Sequence, residues 1–255
     1  MASETINISD SSLCDKLGLK NAFAFDLKGA CCGFMYALET VASMISSGRY
    51  KKAIVIGADK MSSMVDYSDR ATCPIFGDGA GAVVLTCADK TEGFLAYRLY
   101  TDTRENHFGF TIPAGGVEIP ITEDVLSKGL QYFQMDGKAV YNSAISVLPR
   151  AITQVLEDTR LAISDINLMI PHQPSIKILK KTSEIIGLPF EKVMTNMDRY
   201  ANTSSGTIPI LLDEVKLDSD ILKKLNKIEI INRETGLNMQ KFTNAFLVKQ
   251  IISKR

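Results

Sequence analysis

The apolar positions of the first ninety residues alternate between strand-like runs and a helical stripe. Residues 22–27 form a short apolar and aromatic run, which predicts a strand. Residues 32–47 carry apolar side chains on one helical face, which predicts an amphipathic helix. Two more continuous apolar runs, 53–56 and 81–86, predict strands. This order of strand, helix and strand predicts a parallel sheet covered by helices.

The later part of the chain shows a similar alternation after a stretch of short, punctuated pieces at 94–121. The predicted elements are a helix at 137–158 that Pro149 should kink, strands at 166–170 and 193–196, helices at 175–186 and after Ser205, and strands at 227–231 and 245–251. Both parts contain a strand, a loop with a reactive residue type and a helix. This recurrence suggests two related halves, residues 1–90 and 91–255, although a general α/β pattern explains it equally well.

Composition and charge narrow the class of protein. The 255 residues hold 29 Lys and Arg against 29 Asp and Glu, so no basic excess points to nucleic acid. The sequence has no apolar run near the roughly 18 residues of a membrane span. The start, MASETINISD, lacks the basic and apolar parts of a secretory signal. We therefore expect a soluble, cytoplasmic globular protein that binds neither membrane nor nucleic acid.

The cysteines and histidines limit the possible chemistry. Five cysteines without a CxxC motif favour neither a disulfide framework nor a structural zinc site. Histidine-based chemistry has only His107 and His172 as candidates.

Cys31 is the first candidate nucleophile, because it follows a predicted strand and opens a predicted helix. A thiol at a helix start lies near unpaired N–H groups and the positive end of the helix dipole, and both should favour the thiolate. Gly29, Ala30 and Gly33 allow a substrate carbonyl to approach closely. Judged alone, a buried cysteine is more often a small core residue than a nucleophile.

Two more candidates follow later strands. His172 lies just after a predicted strand, where ligands gather in open α/β sheets. Asn202 lies in a polar loop before a helix, where its amide could donate to an oxyanion. Judged alone, a role in capping or bracing the next helix is as likely for His172, and a role in a turn or cap is the more frequent one for Asn202. Together, however, Cys31, His172 and Asn202 form a set suited to acyl transfer through a thioester.

The glycine-rich segment 76–82 looks superficially like a phosphate-binding loop. Its spacing is not GxGxxG, and a strand rather than a helix follows it. We therefore expect a tight turn with close backbone packing and no dinucleotide site.

The chain resembles the β-ketoacyl-acyl-carrier-protein synthase III family, the condensing enzymes that begin bacterial fatty-acid synthesis. The resemblance covers roughly residues 12–214. It is carried by AFDLKGACCGFMYALE, SGRYKKAIVIGADKMSS, DYSDRATCPIFGDGAGAVVL, PHQPSIKIL and RYANTSSGTIPILLDE.

The resemblance implies a thiolase-like layered αβαβα fold of two related halves and a homodimer. It implies that Cys31 is the acylated nucleophile and that His172 and Asn202 complete the catalytic triad. Arg70 matches a contact to the nucleotide end of coenzyme A, and Phe76 matches an aromatic residue of the acyl pocket. The implied reaction condenses an acyl-CoA, such as acetyl-CoA, with malonyl-acyl-carrier protein, and it needs no metal or redox cofactor.

The sequence departs from the family pattern in several places. The match begins almost at Met1, which suggests an incomplete first half, and the glycine-rich turn expected near the end is represented only by Gly236. The usual His-Gln-Ala-Asn is His-Gln-Pro-Ser at 172–175, and Cys32 is an unusual neighbour that could be oxidised together with Cys31. These departures leave two alternatives open: an inactive thiolase-fold remnant that acts at most as a binding partner, and a thioester hydrolase or acyl-CoA transferase.

Overall fold

The architecture is taken from a computed structural model that describes residues 10–87, 94–100, 109–217, 228–236 and 242–250. Its α-helices are α1 (Asp10–Lys16), α2 (Gly33–Ser46), α3 (Glu123–Ser127), α4 (Gly137–Thr159), α5 (Ile176–Ile186), α6 (Met197–Tyr200) and α7 (Thr207–Leu217). Its strands are β1 (Lys52–Lys60), β2 (Asp78–Thr86), β3 (Phe110–Thr111), β4 (Gln134–Met135), β5 (Leu168–Pro171), β6 (Ile228–Gly236) and β7 (Phe242–Gln250). Within these ranges, no helix has the length and hydrophobicity that a membrane span requires.

Strands β1 and β2 confirm the two apolar runs predicted at 53–56 and 81–86, and both are longer than predicted. They pair antiparallel, with Gly57 opposite Gly81. The predicted parallel sheet is wrong for all the strand pairs described, because β3–β4, β5–β7 and β6–β7 are antiparallel as well. Among the described residues, parallel pairing is limited to isolated bridges, such as Phe76 with Asn202.

The glycine-rich segment before β2 packs closely, as predicted, but it does not form a tight turn. From Asp78 onward it is strand. Because its glycines have no side chain, α7 can lie directly on it. A Cβ added at Gly81 would lie 2.8 Å from the backbone nitrogen of Ile210. The glycines therefore serve a close contact between strand and helix.

The strand predicted at Ala22–Leu27 does not form. A strand is stabilised by hydrogen bonds to a neighbouring strand, and none of the described strands pairs with this segment. Phe23 and Phe25 instead stack on each other with ring centroids 6.2 Å apart, and both remain substantially exposed. The apolar composition was therefore insufficient to predict a strand.

The predicted helices are confirmed, and their ends follow standard capping chemistry. The Asp136 side chain accepts hydrogen bonds from the backbone of Lys138 and Ala139 at the start of α4, and the helix continues through Pro149. Ser175 caps the start of α5, and Gly187 ends it with a φ of 71°. Such side-chain caps satisfy backbone N–H groups that have no partner within the helix.

The predicted strand at 166–170 is confirmed as β5, all of whose residues are buried. The predicted strand at 193–196 is wrong: it is reduced to one bridge between Val193 and Met169. Asn196 instead donates its backbone N–H to the side chain of Gln173, and the chain then enters α6. A side-chain acceptor has taken the place of a ladder partner.

The remaining strand predictions have mixed outcomes. The last two predicted strands are confirmed as β6 and β7, apart from residues 227 and 251, which lie outside the described residues. Within 94–121 only the short β3 forms a named strand, and residues 101–108 are not among those described.

The main apolar core joins early and late parts of the chain. It contains Phe34 and Leu38 of α2, Val55 of β1, Ile170 of β5 and Leu211 of α7. A second cluster lies between α4, α5 and β5. Since the first cluster draws on both predicted halves, they share one core, and their division near residue 90 stays a prediction.

Candidate functional site

Cys31 lies where the chain turns into α2. It is the central residue of a short 3₁₀ turn, Ala30–Cys32, that runs directly into the helix, so its predicted position at a helix start is confirmed. Ala30 has a φ of 46°, a left-handed conformation that costs a non-glycine residue about 1 kcal/mol or more. Cys31 is only 2% exposed. The turn thus holds a buried thiol against the helix start.

The electrostatics of Cys31 contradict the expectation of a thiolate. Burial raises the pKa of the Cys31 thiol, the side-chain hydrogen bond with Ser204 lowers it, and the charge of Asp59 raises it further. A helix start stabilises an anion by about 0.3–1 kcal/mol. The loss of hydration on burial is the larger effect, because it can raise the pKa of a thiol by several units. Desolvation dominates, and the thiol is protonated in the free protein.

His172 lies immediately after β5, at the end of the strand, as predicted. It is 1% exposed, and its Nδ1 atom lies 2.7 Å from Thr207 Oγ1 at the start of α7. Burial lowers the pKa of His172 to about 3, because an imidazolium ion would lose its hydration there. His172 is therefore a neutral imidazole near pH 7.

Asn202 is held in place by the hydrogen bonds of its backbone. Its N–H donates to Ile75 O at 2.9 Å and its carbonyl accepts from Gly77 N at 3.0 Å, which forms the bridge to Phe76. Its side-chain Oδ1 accepts the backbone N–H of Ser204 at 2.9 Å. Since Oδ1 is engaged in this way, the Nδ2 group is left as the donor that the amide can offer to a ligand.

The turn from Ser204 to Thr207 connects the three candidate residues. The Ser204 side chain bonds to Cys31, its backbone N–H bonds to Asn202, and its carbonyl oxygen lies 2.9 Å from the Thr207 hydroxyl oxygen. Thr207 in turn contacts His172. Cys31, His172 and Asn202 lie far apart in the sequence, and the structure brings them to one buried turn.

Backbone strain marks the same place. The described non-glycine residues with positive φ are Ala30, Arg160, Ala201 and Ser204. Arg160 ends α4, where a left-handed residue is ordinary. Ala30 directly precedes Cys31, Ala201 directly precedes Asn202, and Ser204 belongs to the connecting turn. Such strain is retained where surrounding contacts impose it, often at functional sites.

An aromatic cluster lies beside the thiol. Phe76, Phe110 and Phe133 stack with ring centroids 4.8–5.5 Å apart, and Cys31 packs in the same apolar cluster with Met61 and Met64. Phe76 is half-buried. The sulfur therefore faces an environment suited to a hydrocarbon group rather than to an ion.

Arg70 lies on an exposed turn that leads to Phe76. The Asp69 carboxylate organises this turn by accepting from Ala71 N at 2.9 Å and from Thr72 Oγ1 at 2.6 Å. The predicted contact of Arg70 with coenzyme A stays a prediction.

Several site residues were missed by the sequence analysis. They are Asp59, Ser204, Thr207, Phe110 and Phe133. Asp59 accepts hydrogen bonds from the backbone and hydroxyl of Ser205 at 2.9 and 2.6 Å, and so anchors the connecting turn to β1. For Asp59, Ser204 and Thr207 the available signal was their place inside the quoted motifs, which does not reveal which partners they bind. Phe110 and Phe133 lie outside those motifs.

The arrangement offers a nucleophile, two hydrogen-bond donors and an apolar cluster packed around the thiol. In the described part of the chain, no three His, Cys, Asp or Glu side chains cluster as a metal site would require. A buried thiol beside a neutral imidazole and an amide is chemistry for a covalent acyl intermediate.

Comparison with known proteins identifies the class to which this fold and site belong. Solved structures of 3-oxoacyl-[acyl-carrier-protein] synthase III superimpose on the chain. For the enzyme from Pseudomonas aeruginosa PAO1 the TM-score is 0.78 at 32% identity, covering 94% of this chain and 71% of that one. For the enzyme from Aquifex aeolicus VF5 it is 0.71 at 30% identity, covering 95% and 71%. The chain thus has a thiolase-like α/β fold.

The sequence comparisons define the family. The family model for 3-oxoacyl-[acyl-carrier-protein] synthase III matches residues 25–103, and the model for its C-terminal part matches 156–241. A β-ketoacyl-[acyl-carrier-protein] synthase III of Phocaeicola vulgatus is 46% identical over 202 residues, 79% of this chain and 60% of the relative. Synthase III 2 of Bacteroides thetaiotaomicron is 43% identical over 218 residues, covering 86% and 64%. The chain belongs to the β-ketoacyl-[acyl-carrier-protein] synthase III family, and it spans about three fifths of the length of these curated relatives.

Proposed function

We propose that the protein is an acyltransferase that condenses an acyl-CoA, such as acetyl-CoA, with malonyl-acyl-carrier protein. In the first half-reaction, the Cys31 sulfur bonds to the acyl carbon, the thioester bond to coenzyme A breaks, and the thiol proton leaves with coenzyme A. In the second, malonyl thioester loses carbon dioxide, and the resulting carbanion attacks the acyl group on Cys31. The bond between the acyl carbon and the Cys31 sulfur then breaks, and the released thiolate takes up a proton from water. The products are a β-ketoacyl thioester on the carrier protein, carbon dioxide and a free Cys31 thiol.

One observation carries this proposal: the connecting turn Ser204–Thr207 contacts Cys31, His172 and Asn202 together. A nucleophile and two donors held against one turn are what a two-step transfer needs, because both half-reactions pass through an oxyanion. The names of the two relatives described above, both β-ketoacyl-[acyl-carrier-protein] synthases III, support the same chemistry.

The acylation step has to remove the Cys31 proton as the donor arrives. The apolar surroundings that raise the pKa of the thiol keep water and stray electrophiles from it until then. Backbone N–H groups at the start of α2 are suited to receive the carbonyl oxygen of the acyl group.

The decarboxylation step uses His172 and Asn202 as donors to the malonyl thioester oxygen. A neutral imidazole donates one hydrogen bond without presenting a full charge, and Asn202 offers Nδ2 because Ser204 occupies Oδ1. Two such donors stabilise the enolate that forms as carbon dioxide leaves. Each donor of this kind typically contributes about 10²–10³ in rate.

The remaining assignments belong to the same proposal. Phe76, stacked with Phe110 and Phe133, would line the acyl pocket, and the exposed Arg70 would bind the nucleotide end of coenzyme A. The acyl carrier protein is the proposed protein partner. We further propose a homodimer in the cytoplasm.

The reaction is tested by giving the purified chain acetyl-CoA and malonyl-acyl-carrier protein and measuring carbon dioxide and β-ketoacyl product. The proposal predicts that His172→Ala and Asn202→Ala still form the acyl-enzyme but lose decarboxylation by about 10²-fold. Normal decarboxylation by both variants contradicts the assigned roles. Release of free acid without carrier protein would indicate a hydrolase, and absence of any acyl-enzyme would indicate an inactive remnant.

A further inference from the structure

The Thr207 hydroxyl lies between the His172 ring and a backbone carbonyl. Its oxygen is 2.7 Å from His172 Nδ1 and 2.9 Å from the Ser204 carbonyl. A threonine hydroxyl has one proton and can donate it to only one of them at a time. The Ser204 carbonyl also accepts the backbone N–H of Thr207. This carbonyl therefore keeps a partner when the hydroxyl turns toward His172.

The direction of that proton decides the state of the imidazole. His172 is neutral near pH 7, because burial lowers its pKa to about 3, so it carries a single ring proton. The hydrogen bond at one ring nitrogen determines which nitrogen is protonated. A hydroxyl that donates to Nδ1 makes Nδ1 the acceptor and leaves the proton on Nε2. The opposite orientation would leave Nε2 without a proton to donate.

We propose that Thr207 is a positioning residue that donates its hydroxyl proton to His172 Nδ1 and thereby keeps the ring proton on Nε2, ready for the malonyl thioester oxygen. The inference rests on the proposed function, in which His172 is a donor. Thr207 acts only through His172, and it belongs to the second half-reaction rather than to acylation of Cys31.

Thr207→Val tests the proposal, because valine keeps the shape of threonine and removes only the hydroxyl. We expect malonyl decarboxylation to fall about tenfold or more and acylation of Cys31 to fall by less than about threefold. Thr207→Ser, which keeps the hydroxyl, should restore most of the decarboxylation. Thr182→Val is the matched control: Thr182 is also a buried helical threonine, but in α5, and its substitution should change neither half-reaction.

The outcomes separate this inference from the proposed function. Equal loss of both half-reactions in Thr207→Val would assign Thr207 a merely structural role, and no loss of decarboxylation would remove it from the site. Either result overturns the inference while the wild type remains active. A wild-type chain that forms no product contradicts the proposed function instead.

Nitrogen NMR of the imidazole tests the inference independently of activity. The chain has two histidines, so His107→Gln leaves His172 as the only imidazole signal. We expect the wild type to carry its ring proton on Nε2, and Thr207→Val to move the Nδ1 resonance because the hydrogen bond to it is lost. A proton on Nδ1 in the wild type, or an Nδ1 resonance unchanged by the substitution, would overturn the proposal.

Discussion

At the scale of single residues, the site is defined by opposing influences on one thiol. Burial and the charge of Asp59 raise the pKa of Cys31, whereas the hydrogen bond with Ser204 lowers it. A thiol held in its neutral form is a poor nucleophile toward general electrophiles. The same environment suits an acyl thioester, which is neutral. In the proposed function, Cys31 is thus arranged to store an acyl group more than to be reactive in the free protein.

Asp59→Asn should make Cys31 more reactive. The asparagine oxygen can still accept from Ser205, so the connecting turn keeps its anchor, while loss of the negative charge lowers the pKa of Cys31. At a fixed pH near 8, alkylation of Cys31 by iodoacetamide should be roughly twofold faster or more. Peptide mass spectrometry distinguishes Cys31 from the other four cysteines.

A matched control for this experiment is Asp136→Asn, since asparagine also caps helices well. Asp136 caps α4, where its side chain accepts from Lys138 and Ala139. Cys31 should be alkylated at the wild-type rate in that variant. Unchanged or slower alkylation in Asp59→Asn would contradict the account of the Cys31 environment.

The residues of the site were partly predictable. Cys31, His172 and Asn202 stood out because each is a reactive residue type beside a predicted strand or helix. Ser204 and Thr207 did not, because serine and threonine are common in turns and their role depends on a left-handed backbone that no pattern reveals. The sequence analysis also overestimated how strongly the helix start would favour a thiolate at Cys31, because the burial of that thiol is a property of the folded chain.

At the scale of elements, the site depends on how closely β1 approaches the connecting turn. Gly57 faces that turn: a Cβ added there would lie 2.2 Å from the Ser205 carbonyl oxygen and 2.8 Å from its carbonyl carbon. Backbone atoms cannot yield as a flexible side chain can. The glycine in β1 is therefore required for the turn to reach Cys31.

Gly57→Ala should destabilise the protein by about 1–3 kcal/mol, because overpacking forces the backbone to shift. Urea unfolding monitored by circular dichroism measures this loss. Gly116→Ala is the control, since nothing lies within 4 Å of its added Cβ. A Gly57→Ala variant as stable as Gly116→Ala would contradict the close packing of β1 against the turn.

Helices were predicted better than strands for a physical reason. The helical stripe of α2 and the caps of α5 are local, so the sequence carries them directly. Strand formation depends on a partner elsewhere. The residues at 22–27 have strand-like composition without a described partner, and the segment 193–196 forms a single bridge to Met169 before Asn196 donates its N–H to the Gln173 side chain. The antiparallel order of β1 and β2 is likewise a property of pairing.

At the scale of the whole molecule, His172 joins the site to overall stability. The strand β5 that leads to it and the helix α7 that contacts it both contribute to the main apolar core, together with α2. Burial keeps the His172 imidazole neutral, because it makes protonation of the ring unfavourable in the folded protein. Stability and site geometry should therefore change together as the pH is lowered.

The sign of this effect follows from linkage. The pKa of His172 is about 3 in the folded protein and about 6.5 in the unfolded chain, so between these values only the unfolded state binds the proton. The free energy of unfolding should therefore fall as the pH decreases from about 6.5 toward 3.

Chemical denaturation at a series of pH values from 7 to 4 measures this dependence. The slope of stability against pH should be less steep in His172→Gln than in the wild type, because glutamine does not titrate. Equal slopes in the two proteins would show that His172 is not held neutral by burial.

The central claim is that Cys31 takes up an acyl group, and intact and peptide mass spectrometry after incubation with acetyl-CoA tests it most directly. The account predicts one acetyl adduct on Cys31, which is lost in Cys31→Ala and retained in Cys32→Ala. Cys32 is the control because it is the adjacent residue of the same turn. No adduct on the soluble wild-type protein, or an adduct that persists in Cys31→Ala, would contradict it.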